Sequence, residues 1–250
     1  MKLASETEVR SAASNRVLVI MAKAPRPGSV KTRLAASLSP EVVTEFYRCL
    51  LDDTIALARS LNDVEVAIMC PELDVNDLMP LAGNEVSVVA QKGEGLAAGL
   101  TSVFAHFAPD RKKDGHRREA HQPRVIAFNS DSPHLPRSVL EKAFEILAAH
   151  DVVVGPTHDG GYYLVGAKAY HPSLFANDGM GTNSAMERLL VRAGDLELSV
   201  GFADRFYDID VADDLSRLAD ELRSAPERAP RTAAWLKEWE KLCGAGTLAR

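Results

Sequence analysis

Four cations, Lys23, Arg26, Lys31 and Arg33, fall within 11 residues just beyond an apolar run, Val17 to Met21. The stretch that holds them, MAKAPRPGSVKTRL at 21 to 34, contains two prolines and a single glycine, Gly28. That density exceeds what solubility asks of a loop and suits an anion carrying several oxygens. Lys31-Thr32 invites comparison with the phosphate-binding loop G-x-x-x-x-G-K-[ST], but Pro25 and Val30 stand where its two glycines belong. A G-x-G-x-x-G dinucleotide fingerprint is absent too. What survives is a strand, a constrained loop and a helix start expected at about Val30 or Lys31, whose backbone N–H groups and nearby cations could hold phosphates. The competing reading is a solvated loop with its cations in water.

Carboxylates supply the second kind of chemistry. RVIAFNSDSPHLP (124 to 136) puts Asp131 at the carboxyl end of an apolar strand, where a charge is costly unless paired, hydrogen-bonded or metal-bound. A hard cation bridging to a diphosphate would meet that need; the alternative is Asp131 or Ser132 capping a helix whose first residue is Pro136. FYDIDVADDL (206 to 215) offers Asp208 and Asp210 at alternate positions, so an extended segment puts both on one face, and one of them could be a second metal ligand. Asp213 and Asp214 read as helix-start acidity. In HDGGYYLVG (158 to 166), Asp159 precedes Gly160 and Gly161, a pair that either makes a tight turn or lets a backbone approach a ligand closely. His158 reads as a loop histidine.

The elements that must position these residues are short β-branched runs at 16–22, 64–70, 86–91, 124–131 and 151–157, each read as a buried strand, with a further short strand at 162–167. Between them, 40–61, 94–107, 137–149 and 183–193 carry apolar residues at helical spacing, with Ser39 a plausible N-cap. This alternation predicts an α/β fold: a single-domain, Rossmann-like, mostly parallel sheet covered by helices on both faces. In such sheets ligands bind beyond the carboxyl ends of the strands, where the loops above lie. Residues 1–15 read as a tail, 109–123 as a solvated surface insertion, and 223–250 as an extension with a helix. Trp235, Leu236, Trp239 and Leu242 share one face of that helix and are expected to pack onto the domain or onto a second copy as a homodimer.

Composition narrows the function classes. At 250 residues, 46% hydrophobic and 26% charged, the chain reads as an ordinary soluble globular protein. A net charge of −6 argues against nucleic-acid binding but leaves room for a local basic pocket. No apolar run reaches the roughly 18 residues of a membrane span, and the first 16 residues form no secretory apolar region, so a cytoplasmic location is expected. Cys49, Cys70 and Cys243 are odd in number and widely spaced, which predicts idle thiols.

Taken in order, AKAPRPGSVKTRL, SDSPHLP, VVVGPTHDGGYYLVGAK and DIDVADDL resemble the nucleotide-diphospho-sugar transferase superfamily with the GT-A type of fold. More narrowly, they resemble small bacterial glycosyltransferase-like proteins sometimes linked to arsenosugar biosynthesis, related to 2-phospholactate guanylyltransferases and molybdenum-cofactor nucleotidyltransferases. The resemblance spans about 16–222, and its DGGYYLVG block is the most specific part. It implies that Ala22, Lys23, Gly28, Lys31 and Arg33 lie on nucleotide phosphates, with Gln91, Gly93 and Ser130 also on the nucleotide. It implies a divalent metal, Mg²⁺ or Mn²⁺, on Asp131 and Asp210, and Asp159, Gly160 and Gly161 on the acceptor or sugar side. Lys31 and Arg33 would stabilise the leaving group, and Asp159 would deprotonate an acceptor hydroxyl if the reaction inverts. Two departures stand out: Gly95 and Gly99 replace the Asp and Arg expected after Gln91 and Gly93, and NDGMGTNS (177–184) lacks an expected tryptophan.

The leading expectation is glycosyl transfer from a nucleotide-diphosphate sugar to a small-molecule acceptor. The first alternative is a nucleotidyltransferase that joins a nucleoside triphosphate to a phosphorylated molecule and releases pyrophosphate. The second is a nucleotide-binding module without turnover.

Overall fold

A computed structural model describes residues 15–109, 123–176 and 184–243. The N-terminal tail, nearly all of the expected insertion, and most of the NDGMGTNS departure lie outside the described residues.

Among the described residues, seven strands form one sheet: β1 (Arg16–Met21), β2 (Glu65–Cys70), β3 (Ser87–Ala90), β4 (Arg124–Asn129), β5 (Val152–Pro156), β6 (Tyr162–Ala167) and β7 (Val200–Phe202), in the order β3-β2-β1-β4-β6-β5-β7. The β3-β2, β2-β1, β1-β4 and β5-β7 pairs are parallel, and only β6 runs antiparallel to its neighbours. The α/β expectation therefore holds, with one local exception. Five residues join β5 to β6, too few for a helical crossover, so the chain makes a hairpin and β6 slots between β4 and β5. The expectation that β3 is a buried strand fails: it is the sheet edge, its residues exposed or half-exposed, because no strand pairs on its far side.

Period-two alternation along each strand feeds two apolar layers. In β1, Leu18 and Ile20 join Phe46, Leu50, Leu140, Phe144 and Leu218 on one side, while Val17 and Val19 join Leu100, Phe104 and Leu189 on the other. The first layer is roofed by α1 (Pro40–Arg59), α4 (Arg137–Ala149), α6 (Ala212–Ser224) and α7 (Pro230–Cys243), the second by α3 (Gly95–Phe107) and α5 (Ala185–Asp195). Ser39 caps α1 as expected, its hydroxyl accepting from Val42 N at 3.4 Å. A further helix, α2 (Val75–Ala82), leads into β3.

The C-terminal helix docks on the domain, with Trp235 and Phe46 ring centroids 4.9 Å apart and Leu236 buried. Leu242, expected on the same buried face, is 81% exposed in the last turn of α7. The N-terminus of α7 is pinned by Asp53 of α1, buried to 2% exposure: its carboxylate accepts from Arg231 N (3.2 Å), Thr232 N (2.8 Å) and Thr232 Oγ1 (2.8 Å). Burial pushes the thiols of Cys49 and Cys70 up to about 11, so both stay protonated near neutrality, matching the expectation of idle thiols for these two.

His134 is fully buried against Phe206 and Tyr207, with ring centroids 4.9 and 4.7 Å away. Burial, helped by the like charges of Arg217 and Arg228, pushes its pKa down to about 3, and Glu221 at 4.0 Å is too far to hold a proton on the ring. The unfolded chain binds that proton at about 6.5, so the stability tied to the neutral ring is full above 6.5 and is lost as pH falls from there toward 3. Stability is therefore expected to drop across that window, and His134→Phe should flatten this part of a Tm-against-pH curve. Parallel curves for the two proteins would contradict the assignment.

Candidate active site

The site forms where β1 and β4 end side by side, Met21 being in register with Asn129. Beyond β1 the chain does not enter a helix at Val30 or Lys31, as the sequence suggested. It makes a turn with Lys31 in the left-handed region (φ +47°), followed by a three-residue 3-10 turn at Leu34–Ala36, and α1 starts only at Pro40. A helix N-terminus is thus not part of this loop. Polar contacts hold it instead, among them Lys23 N donating to Tyr47 Oη (3.3 Å), Ala24 N to Asp74 (2.9 Å), and Leu34 N and Ala35 N to Lys31 O.

The four cations separate. Arg26 leaves the group, its guanidinium held by Asp74 and Asp77 and by Leu73 O. Lys23 and Arg33 are exposed on the wall of a cleft of about 870 Å³. Lys31 turns inward: its side chain is 4% exposed, with Nζ 2.9 Å from Asp131 Oδ2 and 2.8 Å from Asp210 Oδ1. Burial opposes its charge, but the two carboxylates outweigh burial and raise its pKa above that of an ordinary lysine. Arg33 Nη1 stands 3.5 Å from the other oxygen of Asp210.

Asp131 follows β4 on a floor fixed from below. Ser130, buried, shares a 3.0 Å hydrogen bond with Tyr47 Oη, and its carbonyl accepts from Thr54 Oγ1 at 3.3 Å. Neither Asp131 nor Ser132 caps the next helix. That helix begins at Arg137 with Pro136 at its N-cap and no side-chain cap, while Ser132 Oγ donates to Tyr207 O at 2.9 Å. The Ser132 bond and a 3.3 Å bond from Ile209 N to Asp131 O clasp the late DID segment against the end of β4. Asp214 sets the start of α6, accepting from Asp210 N and Val211 N at 2.8 Å each, the structural role expected of it.

That clasp brings a third carboxylate to the site. Asp131, Asp208 and Asp210 each place an oxygen within 4.8 Å of the others. Burial first, then the charges of Asp210 and Asp131, push the Asp208 carboxyl up to about 6, with Lys31 opposing the rise. Asp208 was visible in the sequence as a partner of Asp210, but the spacing alone did not choose between them; the structure gathers both.

Of the residues expected on nucleotide, Ala22, Lys23, Lys31 and Arg33 line the cleft from the first loop, and Gln91, Gly93 and Ser130 line it too. Gly28 is not among the lining residues; it makes its turn at φ +75° beside Ser29, which is. Gln91 Nε2 donates to Gly93 O (2.9 Å) and Gly95 O (3.4 Å), closing its own loop. At Gly99, one of the departures, a Cβ would lie 2.6 Å from Met21 Cε and 2.8 Å from Gln91 Oε1, so a side chain there would have to displace the flexible ends of Met21 and Gln91 on the cleft wall. Asp159, Gly160 and Gly161 stand apart from this wall, in the β5-β6 turn. Asp159 accepts from Thr157 Oγ1 (2.5 Å) and Gly161 N (3.1 Å), and these bonds, with Arg33 at longer range, hold its carboxyl below the usual range. His158 is exposed in that turn, as expected.

A family model described as an uncharacterized protein conserved in bacteria (DUF2064) matches residues 54–182, more than half of the chain. The chain belongs to the DUF2064 family. The matched part of this DUF2064 member contains Asp131 and Asp159, while Lys31 and Asp210 lie outside it. Among solved structures, the chain is similar to a candidate nucleotide-diphospho-sugar transferase from Desulfovibrio desulfuricans G20: 26% identity, TM-score 0.77, 92% of this chain and 96% of that one covered. Two further likenesses show the fold alone. One is 4-diphosphocytidyl-2C-methyl-D-erythritol synthase from Anaerococcus prevotii DSM 20548, with 9% identity, TM-score 0.52, and 84% of this chain and 98% of that one covered. The other is CMP:2-keto-3-deoxy-manno-octonic acid synthetase, solved with CTP, with 13% identity, TM-score 0.51, and 85% of this chain and 99% of that one covered. No curated protein matches the sequence. No helix among the described residues is long and apolar enough to cross a membrane.

Proposed function

We propose that this DUF2064 member is a metal-assisted transferase that moves a sugar from a nucleotide-diphosphate sugar to a small-molecule acceptor. The observation that carries the reading is the meeting of Asp131, Asp208 and Asp210 with Lys31 and Arg33 at one end of a nucleotide-sized cleft. The likeness to the Desulfovibrio structure supports the choice of donor.

The donor set fits a hard divalent cation: three carboxylates supply only oxygen ligands, and an oxygen of each lies within 4.8 Å of the others. Asp131, Asp210 and Asp208 would hold Mg²⁺ or Mn²⁺, which when bound neutralises charge developing on a diphosphate leaving group. The remaining work falls to the chain. Arg33 and Lys23, exposed on the cleft wall, present charge to the phosphates. Tyr47 holds Ser130 and the Lys23 backbone, so the floor does not shift as the donor enters. Gln91 and Gly93, which also line the cleft, bound the nucleotide, and Asp159 to Gly161, beyond Arg33, face the acceptor.

One observation favours a second reading. Asp159 is the carboxylate nearest the acceptor side, and its depressed pKa makes it a weak proton acceptor for a hydroxyl. A phosphorylated acceptor is already an anion and needs no base, which suits nucleotidyl transfer with release of pyrophosphate.

Calorimetric titration of nucleoside diphosphate sugars and triphosphates, with and without Mn²⁺, tests the donor class. Tight binding of a diphosphate sugar only with metal is expected. Arg33→Ala should weaken that binding roughly ten- to a hundredfold, the worth of one charge-assisted contact, with Tm unchanged because Arg33 is exposed. Equal affinity in the variant would remove Arg33 from the phosphate site.

A further inference from the structure

We infer that the Lys31 ammonium is an internal stand-in for the divalent cation: it holds Asp131 and Asp210 together in the metal-free protein and gives them up when a metal binds. The inference rests on the reading of these carboxylates as a metal site.

Its basis is the placement of Lys31. A lysine chosen only to meet phosphates would stand exposed on the cleft wall, as Lys23 and Arg33 do. Lys31 instead sits between two carboxylates drawn from segments far apart in the chain, with Nζ 2.9 and 2.8 Å from an oxygen of each and its side chain 4% exposed. The backbone accepts a left-handed conformation, φ +47°, at a residue with a full side chain, a position that other residues than glycine take at some cost. Asp208 closes the triangle, with an oxygen of each carboxylate within 4.8 Å of the others.

One ammonium among three carboxylates compensates them only in part, and the cluster still attracts a cation. A divalent ion needs oxygens about 2.0 to 2.6 Å away, so an ion held by the Asp131 and Asp210 carboxylates would lie within a few ångströms of the ammonium already on them, and two cations that close repel. The two cations compete. Lysine has a flexible four-carbon stem, and Lys31 also lines the cleft. The ammonium released by the metal is therefore within reach of the phosphates that arrive with it. Lys31 acts here as a positioning residue: it keeps three like charges assembled until their proper ligand comes.

The proposal makes an unusual demand, that deleting a charge contact at the site improves metal binding. Mn²⁺ alone is titrated into the wild-type protein, Lys31→Met and Lys31→Arg, with free Mn²⁺ read by its paramagnetic resonance. Lys31→Met is expected to bind Mn²⁺ at least about tenfold more tightly, the scale on which one like charge at this distance shifts a cation's affinity, while Lys31→Arg, which restores a cation, binds no more tightly than wild type. Without metal Lys31→Met should melt below wild type, and Mn²⁺ should close that gap. Equal or weaker Mn²⁺ binding by Lys31→Met, with wild type binding normally, overturns the competition and leaves the metal site standing. No Mn²⁺ binding by either protein overturns the metal site and the inference together. Should Lys31→Met fail to fold, nitrogen-detected spectra of the wild-type lysine ammonium groups serve instead. The buried, slowly exchanging Lys31 signal should vanish or shift on adding Mg²⁺, and its persistence under saturating Mg²⁺ would overturn the proposal.

Discussion

Asp131→Asn is expected to abolish metal-dependent nucleotide binding and to lower turnover by roughly a hundredfold or more. The amide keeps the shape of the side chain, and the clasp on the DID segment is made by the Asp131 carbonyl and the Ser132 hydroxyl, which the substitution leaves in place. The fold should therefore survive while one of three closely set carboxylates is neutralised. Titration with Mn²⁺ and a nucleotide, alongside a melting curve, separates the two effects. Full nucleotide affinity in the variant would return Asp131 to a purely structural partner of Lys31.

The second large effect falls on stability. Asp53→Ala should destabilise the protein by about 3 kcal/mol, because it removes three hydrogen bonds at once and leaves two backbone N–H groups and a buried hydroxyl unsatisfied at the start of α7. For a chain of this size that corresponds to a fall in Tm of roughly 6 to 12 °C. Urea unfolding checks it. A loss below about 0.5 kcal/mol, within the range of an ordinary surface change, would mean that Asp53 does not hold the start of α7. Nucleotide binding should be unaffected, since Asp53 supports the helix layer and not the cleft.

The elements that hold the site were legible because they obey simple periodicities. Buried parallel strands read as continuous β-branched runs, which located β1 and β4, and Ser39-Pro40 announced α1. The regions that escaped did so for physical reasons. Pro80 inside VNDLMPLA argues against a helix, yet α2 tolerates it there in a helix of only eight residues. At three residues, β7 is too short to show a period. The edge position of β3 depends on strand order, which no single run encodes.

The site followed the same division. That the first loop is basic and that Asp131 and Asp210 end their segments could be read locally. Where each cation goes could not. Arg26 is drawn to Asp74 and Asp77, about 50 residues on, and Lys31 to Asp131 and Asp210, the latter 179 residues away. The membership of Asp208 depends on the docking of 207–210 against 131–132, again a contact between distant segments. Such pairings belong to the packed sheet, and no spacing rule along the chain reaches them.

The most direct test of the central claim is to incubate the wild-type protein with Mg²⁺ and a panel of nucleotide-diphosphate sugars and nucleoside triphosphates, with candidate acceptors, and follow phosphorus resonances. The account predicts that a nucleoside diphosphate appears at the expense of one sugar donor, and that Asp131→Asn leaves the donor intact. Pyrophosphate released from a triphosphate, with every sugar donor unchanged, would contradict glycosyl transfer in favour of nucleotidyl transfer, and a panel wholly unchanged would contradict both.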